Sequence, residues 1–346
     1  MSRKLLLNIA IALGAGTIGV FPSQAVEPAK AVDMTKPVRV FILLGQSNMV
    51  GMGKIAGGEG TLENAVRNKN KYTYLADEAG NWVERKDVRN VRVMVGKGGG
   101  MQVFNNEWMT VKGTKTIGPE FGIGHVVGNS VDAPVMILKS CIGNRSLGWD
   151  LLPPGSEAFE FEGKIYAGYK DSPDSWPKGS EPKPIGWYAG KQYDDDVTNA
   201  KKVLAELDKY YPGATKYEVA GFFFWQGEKD CGNAGHASHY EQNLVRFIKQ
   251  LRKDFDAPNA KFVLATLGEA SKGCGGNEGM VLNAQLAVDG ASGKHPEFKG
   301  NVATVYTNPL SKGGSGNSHY GGNAETYMDV GEAMGQSMAD LLKNQK

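Results

Sequence analysis

The chain has 346 residues, of which 41% are hydrophobic and 22% are charged. These values are typical of globular proteins, so they exclude a disordered chain, a collagen-like repeat and a polytopic membrane protein. Glycine is the one outlier, since the 47 glycines are about twice the usual share. They occur as scattered pairs without a period, which indicates many tight loops.

The first 25 residues have the pattern of a secretory signal peptide. Arg3 and Lys4 precede an apolar run from Leu5 to Phe21, and Ser23-Gln24-Ala25 forms a small-x-small cleavage site. An N-terminal membrane anchor is the alternative, but polar residues and glycines interrupt the run, which is short for a bilayer span. We expect residues 1–25 to be removed and residues 26–346 to form a single domain.

Charge and cysteine content describe the mature chain further. Without Arg3 and Lys4 its acidic and basic residues balance, so charge does not favour nucleic-acid binding. Three cysteines, Cys141, Cys231 and Cys274, would enter an oxidising compartment. Cys231 and Cys274 lie in glycine-rich loops, and the sequence is equally compatible with one disulfide between them and with three free thiols.

Near-continuous apolar runs of strand length recur along the chain. Runs of this kind are typical of strands that are buried on both faces of a parallel sheet. The sequence therefore predicts a sheet of five strands, which are Val38 to Leu44, Val135 to Lys139, Tyr217 to Trp225, Phe262 to Leu267 and Val302 to Tyr306.

Other segments carry apolar residues at helical spacing. The acids Asp194 to Asp196 fall at the start of the first such helix, where they favour the positive end of the helix dipole. A metal site is the alternative, but no second acidic cluster has a matching spacing. The apolar positions are Val197, Ala200, Leu204 and Leu207, then Leu244, Ile248, Leu251 and Phe255, then Tyr327, Val330, Met334, Met338 and Leu341.

Alternation of strands and helices predicts a doubly wound α/β domain of three layers with a mainly parallel, five-stranded sheet. Functional groups are then expected in the loops at the carboxyl ends of the strands. Two stretches, Lys54 to Thr116 and Pro153 to Gly186, are poor in regular pattern. We expect both to run over the active-site face of the sheet.

Ser47 is the first candidate for chemistry, because it directly follows the first predicted strand in Gly45-Gln46-Ser47-Asn48-Met49. Such a turn exposes the hydroxyl while backbone N–H groups face a developing oxyanion. A turn or helix cap is the plain structural alternative. Met49 stands where a G-x-S-x-G nucleophile elbow has glycine, which counts against that motif.

Two further strand ends carry polar groups. The third predicted strand ends in Trp225-Gln226-Gly227-Glu228-Lys229-Asp230, which taken alone is also compatible with a loop of solvated acids. His319 lies in the glycine-rich segment Ser318 to Gly322, before the last helix and after the fifth strand. The carboxyl ends of these strands thus offer a serine, carboxylates and a histidine at one edge of the sheet.

With these residues the chain resembles the sialate O-acetylesterase and acetylxylan esterase branch of the SGNH (GDSL-type) hydrolases. The likeness covers about Val38 to Leu342, with the blocks in the family's order. The matching blocks are Phe41 to Met49, Ile117 to Gly122, Gly143 to Asp150, Trp225 to Glu228 with Asp230, and His319-Tyr320.

The resemblance implies a flavodoxin-like SGNH fold and a role for each matching residue. Ser47 would be the nucleophile, His319 the general base and then acid, and Glu228 the carboxylate that orients the imidazole. The oxyanion donors would be the Ser47 backbone N–H, a backbone N–H at Gly143 or Asn144, and the side-chain amide of Gln226.

Two departures from the family pattern matter. Asn144 stands where many relatives have glycine, and asparagine is the residue that best tolerates a positive φ in its place. Gly316 stands where many have an aspartate three residues before the histidine, so the orienting acid must come from elsewhere. Glu228 and Asp230 are the candidates, and in an extended loop only one of them faces His319; the likeness favours Glu228.

The remaining candidates have weaker patterns. His236 and His239 have a spacing that suits a metal, but with Cys231 nearby a fourth ligand is missing, so no metal is expected. His125 falls within a helix and is expected to be structural. Four aromatic residues of the loops after the second strand either stack on sugar rings or pack the loops down. They are Trp149, Trp176, Trp187 and Tyr188, of which Trp149, Trp187 and Tyr188 are the substrate-binding candidates.

Together these features predict a secreted or periplasmic serine esterase that removes O-acetyl groups from a carbohydrate. We expect it to act as a monomer, without a metal or organic cofactor, and without binding nucleic acid or, once the signal peptide is cleaved, a membrane. A carbohydrate-binding protein that has lost turnover is one alternative, because an aspartate is missing at Gly316. An esterase for lipid-like acyl chains is disfavoured, because the loops offer aromatic and polar rather than aliphatic residues.

Overall fold

The computed structural model of the protein describes residues 32–344, so the predicted signal peptide lies outside the described residues. Within this range the strands follow the apolar runs and add several others. They are β1 (Val38–Gly45), β2 (Gly53–Lys54), β3 (Glu84–Val95), β4 (Met101–Thr110), β5 (Thr116–Ile117), β6 (Val135–Ser140), β7 (Phe159–Phe161), β8 (Lys164–Tyr166), β9 (Ser175–Pro177), β10 (Tyr217–Trp225), β11 (Lys261–Ala265) and β12 (Val302–Val305).

The central sheet has seven strands in the order β12-β11-β10-β1-β6-β3-β4. Neighbouring strands are parallel, except that β4 runs antiparallel to β3. A mixed α/β fold with a mostly parallel sheet is therefore confirmed, and all five predicted strands belong to it. The predicted number of five strands is wrong, because β3 and β4 extend the sheet at one side.

The stretch from Lys54 to Thr116 supplies the two additional strands. β3 is rich in charged residues, so no apolar run marks it in the sequence. Arg89 is nevertheless buried: it donates from Nε to the Tyr210 carbonyl at 2.9 Å, and its guanidinium lies 4.8 Å from the Trp108 ring centroid. The expectation that this whole stretch runs over the active-site face is corrected accordingly, because β3 and β4 belong to the central sheet. The second stretch contains the small antiparallel sheet β7-β8-β9.

Helices cover both faces of the sheet. Val40, Ile42 and Leu44 of β1 pack into one apolar core, whereas Phe41 and Leu43 pack into the other, as expected for a strand whose side chains alternate between faces. The helices are α1 (Ser47–Val50), α2 (Leu62–Arg67), α3 (Glu120–Ser130), α4 (Lys191–Ala205), α5 (Leu207–Tyr210), α6 (Glu228–Cys231), α7 (Ala234–Ser238), α8 (Tyr240–Asp254), α9 (Gly276–Ala287) and α10 (Ala324–Lys343).

The three predicted amphipathic helices are α4, α8 and α10, and each buries its apolar face. Asp194 lies in the first turn of α4, as predicted, while Asp196 is buried and accepts a hydrogen bond from Gln192 Nε2 at 2.8 Å. Among residues 32–344, no group of three or more histidines, cysteines, aspartates or glutamates is placed to hold a metal ion.

The cysteines answer one further question left open by the sequence. Cys141, Cys231 and Cys274 are all free, so Cys231 and Cys274 do not form a disulfide in this structure. In the described part of the chain, no helix is both long and apolar enough to cross a membrane.

Candidate active site

The turn after β1 exposes Ser47 because the residues around it are tightly packed. Gly45 has a φ of +146°, and a Cβ on it would lie 2.3 Å from the Trp225 carbonyl oxygen of the neighbouring strand β10. Only glycine fits such a close approach at a positive φ. Gln46 is buried, and Ser47 begins the short helix α1 with its side chain in a cavity.

This cavity of about 710 Å³ opens at the carboxyl ends of the central strands. It unites Ser47, Glu228, His319, Gly143 and Asn144, which the sequence places up to 272 positions apart in the chain order. The full lining consists of Gln46, Ser47, Met52, Gly143, Asn144, Ser146, Trp149, Asp174, Glu228, Lys229, Gly232, Asn233, His236, Asn317 and His319.

His319 reaches the cavity from a left-handed backbone conformation, with a φ of +56°. Few residues other than glycine adopt this conformation, and when they do it is commonly at a functional site. The turn is held by the His319 N–H, which donates to the Gly316 carbonyl at 2.9 Å. Within residues 32–344, no hydrogen bond joins the imidazole to Ser47 or to Glu228, although all three residues line the cavity.

Glu228 is the first residue of α6 and is only 8% exposed. Its Oε1 accepts a hydrogen bond from Asn48 Nδ2 at 2.6 Å, while its buried Oε2 has no hydrogen-bond partner among the described residues. Burial and the nearby charge of Glu269 raise the pKa of Glu228 to about 7. Its carboxyl group therefore changes charge close to neutral pH.

Asp230 faces a different part of the site from Glu228. Its carboxylate accepts hydrogen bonds from the backbone N–H groups of Leu147 and Gly148, at 2.9 and 2.8 Å, and from Gln226 Nε2 at 2.5 Å. The two acids lie two residues apart in the short helix α6, and not in an extended loop. Asp230 thus anchors the loop that contains Gly143.

Gln226, a predicted oxyanion donor, lies beneath the cavity and is fully buried. Its Nε2 donates to Asp230 and to the Arg145 carbonyl at 2.9 Å, and its Oε1 accepts from Tyr240 Oη at 2.8 Å. This differs from the prediction, because the amide hydrogens are engaged within the protein. In this structure Gln226 supports the Gly143 loop from below.

The Gly143 loop brings backbone N–H groups next to the serine. A Cβ on Gly143 would lie 3.4 Å from the Ser47 Cβ, so the two residues face each other directly. Asn144 has a φ of +57°, which confirms the expectation that asparagine keeps the left-handed conformation here. Asp150 stabilises the loop by accepting the Ser146 N–H at 2.9 Å.

Two polar residues near Ser47, Asn48 and Lys139, have contacts that the sequence did not predict. Asn48 Nδ2 bridges Glu228 to the Gly316 carbonyl, at 2.6 and 3.0 Å, and so joins the serine helix to the histidine turn. Lys139 Nζ donates to the Val50 carbonyl at the end of α1, at 2.8 Å, and pairs with buried Glu120 at 2.6 Å. The sequence feature that points to Lys139 is a lone lysine in a strand predicted to be buried on both faces.

The aromatic candidates lie in different places. Trp149 lines the cavity, whereas Trp187 and Tyr188 do not belong to its lining. Trp187 packs under the Arg145 guanidinium, 4.9 Å from its ring centroid, and Tyr188 Oη donates to Asp194 at 2.9 Å.

The histidines considered for other roles are placed as follows. His236 lines the cavity and bonds to Asp174 at 2.8 Å, and His239 stacks on the Phe159 ring. His125 is buried within α3, where burial holds its pKa well below the usual value, which confirms a structural position.

A mostly parallel sheet with a serine, a histidine and carboxylates at the carboxyl ends of its strands is an arrangement of ester hydrolases. The chain belongs to the carbohydrate esterase family of sialic acid-specific acetylesterases, whose family model matches residues 37–156 and 172–340. The protein is accordingly a carboxylic ester hydrolase of a family that removes O-acetyl groups from carbohydrates.

Solved structures with a similar course of the chain come from a plant and a bacterium. A protein from Arabidopsis thaliana is 18% identical, with a TM-score of 0.47, over 89% of this chain and 99% of that one. A carbohydrate acetylesterase from Xanthomonas citri is 12% identical, with a TM-score of 0.51, over 88% of this chain and 56% of that one. The second likeness shows a shared fold. None of the curated protein sequences matches this chain detectably.

Proposed function

We propose that the protein is a secreted or periplasmic SGNH-type esterase that removes O-acetyl groups from a carbohydrate through an acetyl-enzyme on Ser47. The observation that carries this proposal is the single cavity that Ser47, His319 and the Gly143 loop line together. A hydroxyl of ordinary pKa needs a neighbouring base to attack an ester. The cavity contains two histidines, of which His236 is bonded to Asp174 at 2.8 Å, so the base is His319.

The reaction follows from the positions of these groups. Ser47 Oγ attacks the acetyl carbonyl carbon as His319 takes its proton, and the oxyanion receives hydrogen bonds from the backbone N–H groups of Ser47 and of Gly143 or Asn144. His319 then protonates the departing sugar oxygen. Water attacks the acetyl-serine by the same route in reverse, which releases acetate and regenerates Ser47.

Glu228 lines the cavity and Gln226 lies beneath it, and we assign a supporting role to each. Glu228 stabilises the His319 imidazolium, an assignment supported by its place in the same cavity and by its buried Oε2, which has no hydrogen-bond partner among the described residues. Gln226 instead positions the oxyanion loop through its bonds to Arg145 and Asp230. Trp149 is the aromatic residue placed to contact a sugar ring, since it lines the cavity.

Release of acetate from a panel of acetylated sugars tests the proposal. The panel contains O-acetylated sialic acid, acetylated xylan oligomers and an acetylated simple hexose, each supplied to the purified protein, Ser47→Ala and Ser130→Ala. The expected result is acetate release by the wild type and by Ser130→Ala, which removes an exposed hydroxyl at the end of α3, and none by Ser47→Ala. Saturable binding of a panel member without any acetate release would instead favour a carbohydrate-binding protein.

A further inference from the structure

We propose that Glu269 is a positioning residue of the esterase site, and that Glu228 and Glu269 together replace the aspartate that the chain lacks at Gly316. This inference rests on the proposed reaction and concerns a residue with no place in the sequence motifs. A Cβ on Gly316 would lie 2.6 Å from Glu228 Oε1 and 2.6 Å from Glu269 Oε2. The carboxylates of Glu228 and Glu269 therefore fill the space that an aspartate side chain would need at this position.

The sheet brings these two glutamates to one point from neighbouring strands. Glu228 follows β10, and Glu269 follows β11, which lies beside β10 in the sheet. Because parallel strands end at the same edge, their loops meet over the histidine turn. An aspartate side chain at position 316 would therefore occupy the space that the Glu269 side chain fills in this chain.

Glu269 has a direct hold on the turn that presents His319. Its Oε2 accepts the Gly316 N–H at 2.9 Å, and the Gly316 carbonyl in turn accepts the His319 N–H at 2.9 Å. Asn48 Nδ2 binds the same carbonyl at 3.0 Å. The turn is therefore fixed from both sides of Gly316, by Glu269 on its N–H and by Asn48 on its C=O.

The two carboxylates also interact as charges. Both oxygens lie at 2.6 Å from one point, so they are within about 5 Å of each other, close enough for each negative charge to oppose the other. Between residues 32 and 344, neither Glu228 nor Glu269 forms an ion pair with a lysine or arginine. The cation that this uncompensated negative charge stabilises is the imidazolium of His319, which forms only during the reaction.

Several titratable groups surround Glu228 and influence its pKa. The titratable groups that interact with it are acids, phenols and a thiol, and the charge of Glu269 contributes most to raising its pKa after burial itself. They are Glu269, Asp230, Cys231, Tyr240, Tyr320 and Tyr327.

The pH dependence of kcat/KM for acetate release tests this role. Glu269→Gln keeps an oxygen to accept the Gly316 N–H but removes the charge, so the acidic limb of the profile should move to lower pH by about one unit. Glu278→Gln, which removes an exposed acid from α9, should leave the limb in place. An unchanged limb in Glu269→Gln overturns the proposal.

Failure of the proposed reaction gives a different result, namely full activity of Ser47→Ala. If Glu269→Gln does not fold, Glu269→Asp is the second variant. It keeps the charge but shortens the side chain that accepts the Gly316 N–H, so kcat for acetate release should fall while the acidic limb stays near its wild-type pH. Wild-type kcat in a folded Glu269→Asp contradicts the role of Glu269.

Discussion

The turn that carries the serine and the turn that carries the histidine are built in different ways. The serine turn is enclosed: Gly45 lies against the Trp225 carbonyl, and Asn48 is fully buried. Lys139 fixes the end of its helix through the Val50 carbonyl. Close packing and a buried ion pair therefore hold this turn in place.

The histidine turn is mostly exposed. Residues 312–315 and 317–318 are exposed, and only Gly316 is buried between them. The turn is held by hydrogen bonds to Glu269 and Asn48, and by Tyr327 Oη, which lies 3.4 Å from the His319 carbonyl. Its position therefore depends on polar contacts from other elements.

This difference teaches where each half of the site is specified. The serine turn is fixed by packing against the sheet, with Gly45 against β10 and the end of α1 held by Lys139 of β6. The histidine turn is encoded by its neighbours, so changes far away in the sequence are expected to alter it. Variants on the serine side should mainly cost stability, whereas variants on the histidine side should mainly alter pH dependence and activity.

The largest loss of stability is expected from Lys139→Met. The substitution keeps the apolar stem but leaves Glu120 buried without its partner, which costs about 3–5 kcal/mol in similar buried pairs. Urea unfolding of the wild type and the variant measures the difference. Lys209→Met, which removes an exposed pair with Glu206, serves as the control and should unfold like the wild type; equal losses in both variants would contradict the role given to Lys139.

Glu228→Gln should change how stability depends on pH. The folded-state pKa of about 7 lies above the ordinary 4.5, so the folded protein retains this proton as pH rises while the unfolded chain loses it. The stability contributed by the neutral carboxyl is complete below about pH 4.5 and is lost as pH rises through 7, by up to about 3 kcal/mol.

In Glu228→Gln this loss should be absent. The unfolding free energy measured at pH 5 and pH 8 should therefore differ less in the variant than in the wild type. Glu278→Gln should keep the wild-type difference, since Glu278 is exposed on α9. The same pH dependence in all three proteins would show that Glu228 is ionised throughout this range.

Gly316→Ala tests the space on the histidine side. Its Cβ would approach both Glu228 and Glu269 to 2.6 Å, and such overpacking costs about 1–3 kcal/mol. Acetate release should fall along with stability, because the carboxylates and the histidine turn must move apart. Gly98→Ala introduces a methyl group with nothing within 4 Å and should behave like the wild type. Wild-type activity in Gly316→Ala would contradict the claim that close packing at Gly316 positions the histidine turn.

The smallest effect is expected from substitution of Trp149, which lines the cavity. Trp149→Leu removes a ring that can stack on a sugar, so KM should rise about fivefold, the equivalent of roughly 1 kcal/mol, with little change in kcat. Trp187→Leu is the matched control, because Trp187 lies outside the cavity lining. A larger rise in KM for Trp187→Leu would move the sugar site toward Arg145.

The parts of the fold that the sequence predicts well are those buried on both faces. β10 has the predicted bounds, Tyr217–Trp225, and β1 differs by one residue, because an uninterrupted apolar run reports complete burial. β3 is not predicted, since Arg89 and its polar neighbours are accommodated by stacking and carbonyl contacts that exist only after folding.

The same limit applies to the site. Ser47, Glu228 and His319 stand in recognisable blocks, and the structure brings all three to one cavity. Glu269 stands in no block, and only the adjacency of β10 and β11 places it beside Gly316. Gln226 stands in a block, yet its hydrogen bonds point into the protein, a direction that sequence does not reveal.

Covalent labelling of Ser47 tests the central claim most directly. The wild-type protein, treated with a fluorophosphonate and digested, should carry the label on the peptide that contains Ser47, because the activated hydroxyl attacks phosphorus as it attacks an ester. Ser47→Ala, verified as folded by its unfolding transition, should carry no label. Equal labelling of both proteins, or a label on another residue, would remove Ser47 from the mechanism.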